Sequence, residues 1–119
     1  MTYTLNQLLF LASFPVAIAA GQILFKRAAI QVGQVESASW LFEVLRQPAL
    51  WAALVLYGAA TLLWVKVLAT IPLSRAYPFV ALAFVFVPVA GYVFFHESIG
   101  LRQAAGIALI VVGVIVAAR

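Results

Sequence analysis

Two basic residues, Lys66 and Arg75, lie inside strongly apolar parts of a 119-residue chain. A charged side chain at the centre of a bilayer costs about 2.5–3.5 kcal/mol on insertion scales, so such charges are functional candidates. The short turn 70–72 separates the two stretches, and it brings both cations to the same membrane depth. Two cations facing each other repel unless an anion lies between them. A phosphate would satisfy both, because arginine binds it through two parallel hydrogen bonds and lysine as a point charge.

The alternative for these two cations is a purely structural role. Each head group can rise along its flexible stem to the nearby membrane surface, so that no bound anion is required. The sequence leaves both interpretations open for Lys66 and Arg75.

Three further candidate residues are Trp64, Tyr77 and Gln22. Trp64 and Tyr77 are near the two cations along the chain, where they could line a site for a sugar or a lipid head group. Aromatic residues also form belts at both membrane surfaces, and that interpretation needs no ligand. Gln22 lies deep in the first apolar stretch, where its amide makes either a helix-to-helix hydrogen bond or a ligand contact.

Lys26 and Glu97 complete the set of candidate substrate-binding residues. Lys26 ends the first apolar stretch next to Arg27, and both are alternatively interfacial anchors. Glu97 precedes the last apolar stretch, where a carboxylate is stabilised by the start of a helix. Its structural alternative is therefore to accept hydrogen bonds there or to pair with Arg102.

The composition argues against several other kinds of chemistry. The chain has no cysteine and one histidine, His96, which makes a metal centre unexpected. The basic residues are scattered, with no stripe typical of nucleic-acid binding. No nucleophile–base pair and no glycine-rich phosphate loop occurs. We therefore expect a protein that is not an enzyme and that needs no cofactor, no metal and no nucleic-acid partner.

The elements that position these residues are predicted to be membrane-spanning helices. Hydrophobic residues make up 67% of the chain and charged residues 8%, more apolar surface than a soluble fold of this size can bury. A helix crossing the hydrocarbon needs about 20 apolar residues. The sequence predicts an all-α bundle of four transmembrane helices in one domain, 1–119, with spans at 5–29, 48–70, 72–95 and 101–118.

The segment 31–47 is the longest polar stretch of the chain. Trp40 and Val44 would share one face of a helix there, and Glu43 and Arg46 another. This pattern favours a short amphipathic helix lying in the membrane interface. The alternative is a surface loop with a turn of helix.

Proline and small residues indicate how the spans bend and pack. Pro78 and Pro88 both fall within the third span, as expected where a helix bends around a pathway. In the first span, small residues recur every fourth position from Ser13 to Gly21, which predicts a close helix contact. In the fourth span, Gly113 follows Gly106 by two turns and suggests a second packing seam.

Three motifs resemble those of the four-helix members of the drug/metabolite transporter superfamily. The first is Ala-Gly-Gln-Ile-Leu-Phe-Lys at 20–26, and the second is Pro-Leu-Ser-Arg-Ala-Tyr-Pro at 72–78. The third is His-Glu at 96–97 followed by the glycine-punctuated run 106–114. Together they cover most of the chain outside the first loop.

Two branches of that superfamily compete for the resemblance. Small multidrug resistance transporters carry an essential glutamate three residues before the motif glycine, a place that Ile18 occupies here. That difference argues against proton-coupled export of cationic drugs. The other branch contains the small aminoarabinose-phosphoundecaprenol flippase subunits, and the chain is similar to these in the Gly-Gln pair of its first span. One subunit type has basic residues that correspond to Lys66 and Arg75, whereas Ala-Tyr-Pro and His-Glu resemble the other type.

The flippase resemblance implies movement of a polyprenyl-phosphate-linked sugar across the bacterial inner membrane by a multi-pass protein. Lys66 and Arg75 would hold the lipid phosphate. Four helices are too few to enclose a bulky head group, so we expect a dimer, identical or mixed with another four-helix subunit, packed partly through the fourth span. Membrane lipids are the surrounding partners. Two alternatives remain, namely a multidrug-type exporter and a non-transporting helper of a membrane glycosyltransferase.

Overall fold

The computed structural model describes residues 3–33 and 39–118, in which all regular secondary structure is helical. The elements are α1 (Leu5–Val32), α2 (Ser39–Leu45), α3 (Pro48–Leu68), α4 (Leu73–Val80), α5 (Ala83–Phe95) and α6 (Leu101–Ala118). Four helical segments are long and apolar enough to cross a membrane: α1, α3, α4 with α5, and α6. The prediction of an all-helical chain with four potential spans is confirmed.

Helix α1 is bounded by a cap at each end. At its start, the Thr4 side chain accepts a hydrogen bond from the backbone of Gln7, and the Gln7 side chain accepts one from the backbone of Thr4. At its end, Gly33 has a φ of 67°, and its N–H donates to the carbonyl of Ala29. The helix therefore runs to Val32, three residues beyond the predicted end at 29.

The buried face of α1 differs from the predicted one. Leu11, Pro15 and Ala19 are buried at intervals of four residues and form the packing face. Ser13 is exposed, and its hydroxyl donates to the carbonyl of Phe10. The expected small-residue contact is thus reduced to its last member, Gly21, which is buried. The other buried residues of α1 are of mixed size, from Ala28 to Val32.

A tight turn joins α3 to α4. Helix α3 ends at Leu68, two residues before the predicted boundary, because the N–H groups of Thr70 and Ile71 both turn back to the carbonyl of Val67. Pro72 then precedes α4, and its carbonyl accepts from Ala76. This turn places the end of α3 and the start of α4 beside the first turns of α1.

The third predicted span is one helical segment, Leu73–Phe95, with a short interruption that divides it into α4 and α5. Between α4 and α5, the N–H groups of Ala81 and Leu82 bond to the carbonyls of Pro78 and Phe79, three residues back. This tighter pattern interrupts the α-helix between Pro78 and Pro88. A proline lacks the N–H that a continuous helix needs, so two prolines in one span leave a weakened stretch between them.

The segment between α1 and α3 contains α2, the short helix that was predicted there. Residues 34–38 of the predicted amphipathic segment lie outside the described residues. Within α2, Trp40 and Val44 turn towards α1 and line a cavity of about 230 Å³ with its last turns. Glu43 and Arg46 form an ion pair on another face, with an N–O distance of 3.6 Å.

Candidate functional site

A cluster of apolar and aromatic residues holds one end of the bundle together. Leu11, Val67, Ile71 and Ala76 are buried there and bring α1, α3 and α4 into contact. Five partly buried side chains pack around them: Tyr3, Phe10, Trp64, Leu68 and Phe79. Both predicted anion-binding cations lie at this end, because Lys66 precedes Val67 and Arg75 precedes Ala76.

Arg75 is held against Tyr3, just before α1. The guanidinium carbon lies 4.5 Å from the centre of the tyrosine ring, within the range of a cation–π interaction. The Tyr3 hydroxyl donates to the backbone carbonyl of Arg75 at 3.1 Å. Tyr3 also packs edge-on against Phe79, with ring centres 5.3 Å apart. The start of the first span and the start of the third are therefore fastened together around this arginine.

Lys66 lines a cavity of about 260 Å³ between α1 and α3. Its Nζ atom lies 5.4 Å from the centre of the Phe10 ring. The polar part of the wall comes from Thr4, Asn6 and Gln7 in the first turn of α1 and from Thr70 after α3. The cavity thus combines one cation with several neutral hydrogen-bonding groups, and Arg75 is not part of its described lining.

Trp64 and Tyr77 are brought together at the same end. Their rings contact edge to face at 6.3 Å, and Trp64 stacks on Phe14 at 4.6 Å. Neither residue is in the described lining of the Lys66 cavity. Their observed contacts therefore fasten α1, α3 and α4 to one another.

A polar contact occupies the middle of the first span. Tyr57 of α3 donates its hydroxyl to the backbone carbonyl of Ile18 at 3.2 Å and accepts a hydrogen bond from the Gln22 amide at 2.9 Å. Its ring lies directly over Gly21 and packs against Phe25, with ring centres 5.3 Å apart. Of the two predicted roles for Gln22, the helix-to-helix hydrogen bond is present.

Lys26 and Glu97 form an ion pair at the opposite end of the bundle, with an Nζ–Oε2 distance of 3.6 Å. The chain reverses at His96, which has a left-handed φ of 57°, and the backbone N–H of Glu97 donates to the carbonyl of Gly91. This reversal folds Glu97 back over Gly91 and towards α1. The observed ion pair therefore joins Glu97 to Lys26 and not to Arg102, the local partner proposed from the sequence.

A second cavity, of about 170 Å³, opens between α1 and α5 beside this ion pair. Its polar lining residues are Gln22, Lys26 and Glu97. The remaining wall is apolar and comprises Ala19, Ile23, Val87, Ala90, Gly91 and Phe95. Within residues 3–33 and 39–118, no group of three histidine or acidic side chains is placed to hold a metal ion.

The candidate residues thus fall into two groups. Lys66, Arg75, Trp64 and Tyr77 lie at the end where α1 begins, and the other three lie towards the end where it finishes. Sixteen residues separate Phe10 from Lys26, which is about 24 Å along the helix at 1.5 Å per residue. The aromatic partners of the cations and Tyr57 were not predicted as site residues. A tyrosine inside an apolar span was the available signal for Tyr57, because its hydroxyl needs a partner in lipid.

Comparison with known proteins supplies relatives over most of the chain. A protein of Aeromonas hydrophila is 37% identical over 93 residues, covering 78% of this chain and 80% of the relative. One from Hamiltonella defensa is 33% identical over 96 residues, covering 78% and 86%. One from Enterobacter sp. strain 638 is 49% identical over 63 residues, which span 53% of this chain and only 59% of the relative.

All three relatives carry the same name, that of a probable 4-amino-4-deoxy-L-arabinose-phosphoundecaprenol flippase subunit ArnE. No solved structure resembles the chain closely enough to count as a match. The profile of the EamA-like transporter family matches residues 2–119, almost the entire sequence. The four helices able to span a membrane agree with membership of a family of membrane transporters. This multi-pass membrane protein therefore belongs to the EamA-like transporter family.

Proposed function

We propose that this protein is a subunit of a flippase that carries a polyprenyl-phosphate-linked amino sugar across the bacterial inner membrane. Family membership supports transport, and the names of the relatives support this lipid as the substrate. The proposed domain is the whole chain, with its four spans acting as one transmembrane unit. Non-enzymatic action is part of the proposal, because crossing the membrane leaves the lipid chemically unchanged.

The observation that carries this proposal is the position of Lys66 and Arg75 at one end of the bundle. Each cation lies over its own aromatic ring, Phe10 or Tyr3, which shields it from water on one side. An anion that reaches both cations would meet two positive charges, and electrostatic attraction is stronger beside a protein surface than in bulk water. A lipid phosphate is an anion that the membrane itself supplies to the end of a transmembrane bundle. Its hydrocarbon chain would remain in the bilayer.

A dimer completes the proposed transporter. In α6, Val114 is buried within the chain, whereas Leu109, Ile115 and Val116 are exposed. An added Cβ on Gly106 or Gly113 would meet no atom of the chain within 4 Å. A second four-helix subunit, identical or related, would pack on this surface through the two glycines and enclose the head group.

The multidrug-type alternative is disfavoured by the surroundings of Ile18. Its backbone carbonyl accepts the Tyr57 hydroxyl at the position where that branch requires a carboxylate. A tyrosine hydroxyl there holds two helices together and supplies no negative charge for a cationic drug. The helper alternative predicts that Lys66 and Arg75 are dispensable for lipid binding, which the following experiment tests.

The experiment measures which lipids remain bound to the protein after extraction in a mild detergent. Wild type, the Lys66→Ala/Arg75→Ala double variant and the control Arg27→Ala are purified, and their lipids are identified by mass spectrometry. Arg27 is an exposed cation at the other end of α1, so it matches the loss of charge without touching the proposed site. We expect wild type and control to retain a polyprenyl phosphate or its glycoside. The double variant should retain at least about tenfold less of this lipid, because it lacks the charged hydrogen bonds to the phosphate.

Transport is then tested in vesicles that contain a fluorescent short-chain polyprenyl phosphate, whose outer-leaflet fraction is quenched chemically. Wild type and Arg27→Ala should move the lipid between leaflets faster than empty vesicles, and the double variant should not. Equal amounts of bulk phospholipid in all three proteins, with no polyprenyl lipid, would contradict the anion site. Lipid binding without transport in wild type, even with its partner subunit present, would favour the helper.

A further inference from the structure

The cavity between α1 and α5 has a composition suited to a small polar ligand. Its wall is mostly apolar, and Gln22, Lys26 and Glu97 supply a few convergent polar groups, the usual composition of a ligand site. Glu97 is an acceptor for a positive group, and Lys26 is a donor for a negative one. Because the Nε2 atom of Gln22 is engaged by Tyr57, its amide offers the carbonyl oxygen as a further acceptor.

We infer that this cavity is a head-group site for a zwitterionic sugar phosphate. The protonated amine of the ligand pairs with Glu97, its phosphate pairs with Lys26, and the sugar ring lies between α1 and α5. The ion pair between Lys26 and Glu97 occupies these positions until the ligand arrives. This inference rests on the proposed function, to which it adds a second site and the chemical class that the site selects.

The existing ion pair is suited to such an exchange. Its N–O distance of 3.6 Å exceeds the roughly 2.7–2.9 Å of a strong charge-assisted hydrogen bond. The side chains are 48% and 51% exposed, so separating them leaves no buried charge without a partner. A ligand with one charge of each sign replaces the Lys26–Glu97 ion pair by two ion pairs, one with each residue, and the net charge of the site stays zero.

Backbone geometry holds Glu97 in position for this role. The backbone N–H groups of His96 and Glu97 both donate to the carbonyl of Gly91, which fixes the reversal after α5. The absence of a side chain on Gly91 leaves room for the carboxylate, which lies where a Cβ would be. Glu97 therefore points along α5 into the cavity, whereas an unrestrained loop residue would point to water.

The size of the cavity limits the ligand. A volume of about 170 Å³ corresponds to roughly five or six water molecules at 30 Å³ each. This accommodates one monosaccharide ring, and a polyprenyl chain must stay outside in the lipid. The site also lies about 24 Å along α1 from the Lys66 end, too far for one sugar phosphate to occupy both. The two sites are therefore separate positions for the head group, one near each membrane surface.

The test uses three water-soluble probes and saturation-transfer NMR with the full chain in detergent micelles. The zwitterionic probe is an aminopentosyl methyl phosphate. The second probe is its N-acetylated form, which lacks the positive charge, and the third is the methyl aminopentoside, which lacks the phosphate. Wild type is compared with Glu97→Gln, Lys26→Gln and the control Arg102→Gln, a nearby exposed cation.

Wild type and Arg102→Gln should bind the zwitterion about tenfold more tightly than either other probe. Each of those two probes lacks one of the charged contacts that the zwitterion makes. Glu97→Gln should abolish the preference for the amine, and Lys26→Gln the preference for the phosphate while keeping that for the amine. Equal binding of the three probes, no binding by wild type, or preferences that survive both substitutions would overturn the inference.

The outcome is independent of the lipid experiment above. The Lys66→Ala/Arg75→Ala variant should still bind the soluble zwitterion as wild type does, because its substitutions lie at the other end of α1. Full lipid retention by the Lys66→Ala/Arg75→Ala variant, with charge-selective probe binding intact, would contradict the proposed anion site alone. Lipid retention that wild type shows and the double variant loses, without any charge preference among the probes, would contradict the head-group site alone.

Discussion

The ring of Tyr57 fills the space that a side chain on Gly21 would occupy. A Cβ built on Gly21 would lie 2.5 Å from the ring's Cζ atom, closer than non-bonded carbon atoms approach. The contact lets α1 and α3 come close enough for the Tyr57 hydroxyl to reach the backbone carbonyl of Ile18. The motif glycine of the first span thus has a specific physical role, the accommodation of one aromatic ring.

Gly21→Ala should therefore destabilise the protein by about 1–3 kcal/mol, the usual cost of overpacking. The measurement is thermal unfolding in detergent. Gly58→Ala is the matched control, since a Cβ there meets nothing within 4 Å and should leave stability unchanged or slightly raised. In a Tyr57→Ala background the Gly21→Ala change should cost little. An undiminished cost in that background would show that the ring is not the obstacle.

Tyr57→Phe keeps the ring and removes the hydroxyl that bonds to Ile18 and Gln22. Hydrogen bonds between transmembrane helices contribute about 0.6 kcal/mol on average, so we expect a loss of about 1 kcal/mol for the two. Chemical denaturation in micelles measures this loss. Tyr92→Phe, at an exposed position of α5, should leave the midpoint unchanged. Equal midpoints for the two variants would mean that the hydroxyl stabilises nothing.

The membrane spans could be predicted from the sequence because hydrophobicity over about 20 residues is a local property. Interhelical contacts could not, since they depend on how each helix is rotated about its axis. Ser13 and Gly21 belong to one small-residue pattern, yet Ser13 is exposed and Gly21 is buried. Leu11 and Pro15, each two residues from Ser13 and so on the opposite side of the helix, are the buried residues at this level of α1.

The candidate residues show the same limit. The short turn 70–72 correctly predicted that Lys66 and Arg75 lie at the same end of the bundle. Each cation lies over an aromatic ring near the start of the chain, Phe10 or Tyr3, and this contact depends on tertiary packing. From the sequence, Arg102 is a predicted ion-pair partner of Glu97 because the two residues are close along the chain. The left-handed turn at His96 instead directs the carboxylate back to α1, and no local pattern encodes that direction.

Gly91→Ala should impair the head-group site while keeping both of its charges. The new Cβ would take the place of the Glu97 carboxylate, which must then move outwards. Because Glu97 is half-exposed, this movement should cost little stability, and alanine is the better helix former. We expect the NMR preference for the amine-bearing probe to fall as it does in Glu97→Gln. Gly58→Ala serves as control, because a Cβ there meets nothing within 4 Å, and a full preference in Gly91→Ala would show that the position of the carboxylate is unimportant.

Replacing each cation by the other basic residue, in two separate variants, should have unequal effects on lipid retention. Arg75→Lys loses the planar fork that binds a phosphate through two hydrogen bonds, so retained polyprenyl phosphate should drop several-fold. Lys66→Arg keeps a point of attachment and adds donors, so retention should stay near that of wild type. Mass spectrometry of co-purified lipid, normalised to protein, compares them. Equal retention by both variants would indicate that charge alone is required and that no bidentate contact forms.

The proposed dimer surface can be tested directly because the natural chain has no cysteine. A single Gly113→Cys substitution on α6 should form a disulfide-linked dimer in membranes under mild oxidation. Where the partner is a related subunit, cross-linking should require its co-expression with a matching cysteine. Val55→Cys, on an exposed face of α3, provides the comparison. A similar yield from both positions would indicate random collision in the bilayer.

The interruption at Ala81 and Leu82 divides the third span into two mechanical parts. Arg75 is carried by α4, and Gly91, over which Glu97 is folded, is carried by α5. A continuous helix would tilt as a single rod and alter both ends of the bundle together. An interrupted helix lets each half keep its own contacts, Tyr3 with Arg75 and Phe79 for α4, and the Lys26–Glu97 ion pair for the end of α5. A displacement at one end of the third span is then transmitted only partly to the other end, so the two ends of the bundle are less rigidly coupled than a continuous helix would make them.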